Sequence, residues 1–104
     1  MPSPFHADLP EGWFYPSTTE AHQLDAELQR EIPPGHLLEG VTVKAFAWRD
    51  ANDDVLFRHQ LDPERFTVVH LSWIGDTEID VDHPTVAFDG TFDGFLAWEA
   101  RLWG

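Results

Sequence analysis

A chain of 104 residues is long enough for one hydrophobic core and short for two. Its 42% apolar content, with eight Phe and five Trp, sets it apart from disordered chains despite a formal net charge of −13. Nineteen Asp and Glu against six Lys and Arg weigh against direct binding to nucleic acid or anionic lipid and favour basic partners, and the lack of cysteine removes disulfides, thiolate metal ligands and cysteine nucleophiles.

In chain order, Met1–Asp8 has neither a basic n-region nor an apolar h-region, and no apolar run approaches the roughly 20 residues of a membrane span. A cytoplasmic protein with no membrane segment is the expectation. Residues 1–16 hold four prolines, Gly12 and the cluster Trp13-Phe14-Tyr15, which reads as an irregular arm packed onto the domain that follows. Ser17-Thr-Thr-Glu20 matches a capping box, and Ala21, Leu24, Leu28 and Ile32 recur at helical spacing, with Glu20, Gln23, Glu27, Arg30 and Glu31 mostly off that stripe. Pro33-Pro34-Gly35 stops the helix.

Beyond the linker 36–40, residues 41–49 alternate, with Val41, Val43, Ala45 and Ala47 on one face and Thr42, Lys44, Phe46 and Trp48 on the other, the period of a strand. The turn 50–54 leads into a second strand over 55–60. A second turn, Asp62-Pro63-Glu64, then leads into Phe66–Trp73, the most β-prone segment and apolar on both faces. Thr85–Phe88 fits a fourth strand. Asp89-Gly90-Thr91 fits a turn whose threonine caps a last helix carrying Phe92, Phe95, Leu96, Glu99, Leu102 and Trp103 at helical spacing. The expected fold is α+β in the order α-β-β-β-β-α: a small antiparallel sheet of three to four meander strands with an N-terminal and a C-terminal helix on one face. Residues 17–104 form its single domain, behind the arm 1–16.

The chemistry-bearing residues point to binding more than to catalysis. Asp76, Glu78, Asp80 and Asp82 fall on every second residue, so in an extended segment they share one side, about 7 Å apart. Carboxylates splayed that way do not converge on the six to eight oxygens calcium needs at about 2.3–2.6 Å, and the sharp-turn glycine of a calcium loop is missing both here and in Asp50-Ala-Asn-Asp-Asp54. A row of charges can protect a strand edge from unwanted pairing or form a partner-binding edge. No Lys or Arg occurs between Phe66 and Ala100, and Trp73 stands just before the row as a candidate contact residue. None of the six histidines has helical zinc spacing. His70 lies two residues from Ser72, but without a nucleophile-elbow glycine pattern it reads better as a buried, hydrogen-bonded histidine than as a catalytic one.

The run from Leu28 to Trp103 contains Pro33-Pro34-Gly35-His36, Asp53–Phe57, Val69-His70-Leu71-Ser72-Trp73 and Phe88-Asp-Gly-Thr-Phe-Asp-Gly-Phe95. In these motifs the chain resembles a group of small uncharacterised bacterial proteins. The resemblance implies a bacterial source and one small α+β module with the arm outside the shared part, and it carries no catalytic residues over. The combined expectation is a non-enzymatic acidic protein-binding module, monomeric or a small homo-oligomer, with no metal and no cofactor. Its basic protein partner would be met by Trp73, Asp76, Glu78, Asp80 and Asp82, as in immunity- or inhibitor-like proteins. The alternative is a small enzyme or ligand binder with a pocket near His70, Ser72 and Trp73.

Overall fold

The computed structural model describes residues 9–49, 54–73 and 84–103. Their order is β1 (Trp13–Phe14), α1 (Thr18–Glu31), β2 (Val43–Arg49), β3 (Asp54–His59), β4 (Phe66–His70), β5 (Thr85–Gly90) and α2 (Phe92–Trp103). The five strands form one sheet in sequence order, each antiparallel to its neighbour. The meander and both helices match expectation, but the sheet has five strands where three to four were expected. The extra strand comes from the arm, where Trp13 and Phe14 pair with Arg49 and Trp48.

Local chemistry accounts for the helix ends. Ser17 Oγ accepts the Glu20 N–H at 3.1 Å while Glu20 Oε1 accepts the Ser17 N–H at 2.9 Å, so the capping box is closed in both directions. The helix ends at Ile32, whose N–H reaches Leu28 O, because Pro33 and Pro34 have no N–H with which to continue it. Thr91 Oγ1 accepts the Gly94 N–H at 3.0 Å and caps α2, with Asp93 in the first turn and Arg101 in the last. Asp89 and Gly90, expected in a turn, instead extend β5.

The two helices lie on opposite faces of the sheet, which corrects the expectation of a shared face. Leu24, Leu28 and Ile32 of α1 pack with Val43, Val55, Phe57, Val69 and Leu71. Phe92, Phe95 and Leu96 of α2 pack with Ala47, Leu56, Phe66 and Val68, joined by Trp13. The reason lies in β3 and β4. Val55 and Val69 point to one side and Leu56 and Val68 to the other, all of them buried, so the sheet needs a helix over each face.

A bulge between Ala45 and Ala47 shifts the register of β2 against β3 and breaks the simple alternation. Val43, Ala45 and Trp48 end on the α1 face, while Phe46 and Ala47 both turn to the α2 face. The N–H of Ala45, next to the bulge, donates to Asp25 Oδ1 of α1 at 2.7 Å, tying helix and strand together. The loop after α1 is clipped by His36, which is buried. Its Nδ1 accepts the Leu38 N–H at 3.0 Å, so the proton sits on Nε2, which donates to Pro84 O at 2.8 Å.

Replacing Ser17 by Ala should cost about 1 kcal/mol. Thermal unfolding followed by circular dichroism should then show a melting temperature lower by roughly 4–8 °C.

Candidate functional site

Where β4 ends, the chain makes a turn whose geometry is set from α1. Ser72 and Trp73 donate their backbone N–H groups to Glu31, at 2.8 Å to Oε1 and 2.9 Å to Oε2, and the Ser72 hydroxyl adds a bond to Oε1 at 3.0 Å. Successive N–H groups converging on one carboxylate make the concavity in which backbone binds anions, and here the anion is a side chain of the protein itself. Trp73 has φ of +56°, the one positive value among the described non-glycine residues. A bulky residue is disfavoured there and persists when its surroundings over-determine it. Glu31 supplies that constraint.

The indole so held is 48% exposed, close to half its surface, and it lines a cleft of about 200 Å³ with Trp48, Val55, Leu24, Gln23 and Glu20. Phe14, itself exposed, lies opposite Trp48 across the sheet edge, their rings 5.5 Å apart, and extends the aromatic surface. Trp48 reaches this face because of the bulge in β2. Trp73, Trp48 and Phe14 thus come together from three strands or strand ends that are distant in sequence.

Glu31 is fully buried, and Glu27, one turn before it on α1, is almost so. Arg30 pairs with Glu27 from the half-exposed side. Burial, with a smaller contribution from the hydrogen bond to Glu27, raises the Glu31 carboxyl above its ordinary value; the bonds from Ser72 and Trp73 offset this in part. Burial likewise raises Asp25, against the bond from Ala45.

The remaining sequence candidates divide. Asp76, Glu78, Asp80 and Asp82 lie outside the described residues, as do residues 50–53 and His6 and His83. His70 is hydrogen-bonded, to Asp54 Oδ1 at 3.0 Å, but its side chain is half exposed rather than buried. Ser72 turns its hydroxyl to Glu31. The three residues of the alternative reading therefore have separate partners. Among the described residues no group of three His, Asp or Glu is placed to hold a metal ion, and no helix is long and apolar enough to cross a membrane.

A second polar network lies at the other end of the α1 face. Buried His59 Nε2 lies 2.7 Å from Thr67 Oγ1, which donates to Asp89 Oδ1 at 2.7 Å; Arg65 clamps the same carboxylate with Nε at 3.0 Å from Oδ1 and Nη2 at 2.5 Å from Oδ2. Since the one hydroxyl proton goes to Asp89, His59 is the donor to Thr67. Burial pushes the Asp89 carboxyl up, and the bonds from Arg65 and Thr67 outweigh it, leaving the group below its usual value. Burial and the Arg65 charge lower His59, so this buried imidazole stays neutral to lower pH. On the opposite sheet face, Arg49 and Glu99 form a buried pair, Nη1 to Oε1 at 3.6 Å, beside an open cavity of about 520 Å³.

Sequence reading placed Glu31 off the apolar stripe and so missed it. The signal was present in the spacing: Glu31 is seven residues after Leu24, and seven residues return to within about 20° on a helix, so it shares the buried face. No protein-family model, curated protein or solved structure matches this chain.

A carboxyl raised in the folded state keeps a proton that the unfolded chain has released. The contribution of Glu31 is thus fully present below pH 4.5, its ordinary value, and is lost as pH rises through the folded value. Denaturant unfolding of wild type and Glu31→Gln should differ in this sense: the stability advantage of wild type is largest in acid and shrinks toward neutral pH. A pH-independent difference would show that Glu31 is not raised.

Proposed function

We propose that this protein is a non-enzymatic acidic module that binds a basic protein, in the manner of an immunity or inhibitor protein that neutralises its target. The observation that carries this reading is Trp73, half exposed in a left-handed conformation that the buried Glu31 enforces, placed within the base-free stretch just before the acidic row Asp76, Glu78, Asp80 and Asp82. A large aromatic ring presented on a rigid turn loses little entropy on binding and is the residue type most often found at binding hot spots. The surrounding net charge of −13 steers cationic partners toward it and disfavours polyanions. The acidic residues Asp76, Glu78, Asp80 and Asp82 then supply the electrostatic part of the surface and Trp73 with its neighbours the apolar part.

The alternative, an enzyme or small-ligand binder built on His70, Ser72 and Trp73, has less behind it. The Ser72 hydroxyl is committed to Glu31 and His70 to Asp54, so neither is set to activate the other. The cleft at Trp73, about 200 Å³, is also smaller than the roughly 300–1,000 Å³ of ordinary small-molecule pockets.

Affinity capture at low and at high salt compares the protein with a variant carrying Asp76→Asn, Glu78→Gln, Asp80→Asn and Asp82→Asn. A basic protein should be retained by the unaltered chain, released by salt and lost with the variant. Identical captures by the two forms would remove the acidic segment from the interface.

A further inference from the structure

We infer that the cleft between Trp48 and Trp73 receives an arginine side chain of the basic partner, its guanidinium lying on an indole face with Glu20 as the counter-charge. This deepens the reading of the protein as an acidic binding module and rests on it.

The cleft has the chemistry for that occupant. Among the described residues that line it, two are tryptophans, Leu24 and Val55 add aliphatic surface, and one is ionisable, Glu20 with its carboxylate. The described lining contains no cation, and the sequence has no Lys or Arg between Phe66 and Ala100, so a guanidinium would enter a site of one electrostatic sign. Indole is the most effective ring for holding a cation over its face. Arginine fits better than lysine because its planar head stacks on aromatic rings and gives up its weaker hydration more easily, while its aliphatic stem covers apolar walls. The volume suits a single inserted side chain rather than a cofactor. Glu20 uses Oε1 to accept the Ser17 N–H, which fixes the carboxylate at the N-terminus of α1 and keeps it at the cleft. On the other wall, Glu31 fixes the turn that carries Trp73. Both walls are therefore formed before a partner arrives, which lowers the entropic cost of binding.

The test uses the full chain and a blocked peptide of alternating arginine and glycine, titrated by calorimetry and by the indole N–H resonances of Trp48 and Trp73 at low salt. Matched peptides carry citrulline, which keeps the shape without the charge, or norleucine. Two cleft variants are compared with wild type. Trp73→Gly removes the ring and tolerates positive φ, and Glu20→Gln removes the charge while keeping a residue able to close the capping box. The fourfold amide variant of Asp76, Glu78, Asp80 and Asp82 is titrated in parallel, and circular dichroism verifies that each variant is folded.

The arginine peptide should bind and shift both indole resonances, the citrulline and norleucine peptides should bind at least tenfold more weakly, and Trp73→Gly should weaken arginine binding about tenfold, the scale of a desolvated cation–π contact. Glu20→Gln should weaken it severalfold. If arginine binding survives both cleft variants and disappears only in the fourfold amide variant, the cleft inference is overturned while the acidic-module reading stands. Equal binding of norleucine and arginine would mean an apolar slot and would also overturn it. Failure of the unaltered protein to bind the arginine peptide at low salt would overturn both.

Discussion

A carboxylate removed from water and set beside a second carboxylate costs folding free energy, and Glu31 is such a group, with Glu27 one helical turn away. What it receives in exchange is three hydrogen bonds from Ser72 and Trp73, and what those donors receive is an acceptor at a partly buried site. An orphaned buried donor costs about 1–3 kcal/mol, so the helix and the turn hold each other in place. The left-handed backbone at Trp73 follows from this bond pair, and the half-exposed indole follows from the backbone.

The other wall of the cleft depends on a different device. Strict alternation along β2 would carry Trp48 to the same side as Phe46. The bulge at Ala45/Ala47 inserts one residue into the count, sends Phe46 with Ala47 into the aromatic cluster under α2, and returns Trp48 to the α1 side. Asp25 takes the Ala45 N–H beside the irregularity. Two acids of α1, Asp25 and Glu31, thus reach the sheet, one at the bulge that places Trp48 and one at the turn that places Trp73. Each is raised by burial, which fits groups whose task is to accept backbone N–H bonds rather than to sit in solvent.

Much of the fold was legible because its signals are local. The Ser17–Glu20 capping box, the proline stop after Ile32, the Asp62–Arg65 turn and the Thr91 cap each involve residues within a few positions of one another, and each stands as its chemistry implies. The order of helices and strands follows from these. Three features were not legible. The bulge is decided by packing on two faces at once, and no residue in Ala45-Phe46-Ala47 marks it. The fifth strand is two residues long and exists through its partner β2 rather than through its own pattern. Glu31 is read as lying off the apolar stripe, because the periodic pattern counts apolar residues and a carboxylate on the buried face lowers the count. The two-faced apolarity of the Phe66–Trp73 segment was visible, but both helices were still expected on one face; the second covered face follows from β3 and β4 together, each buried on both sides.

The most direct measurement of the central claim is native-state hydrogen exchange of the Ser72 and Trp73 backbone amides, resolved by NMR. If Glu31 grips this turn, both amides are strongly protected, and Glu31→Ala brings their exchange up to that of exposed loop amides such as Leu61 while the β3–β4 ladder stays protected. Exchange of Trp73 at the loop rate in the unaltered protein would mean that its conformation is not held by the buried carboxylate.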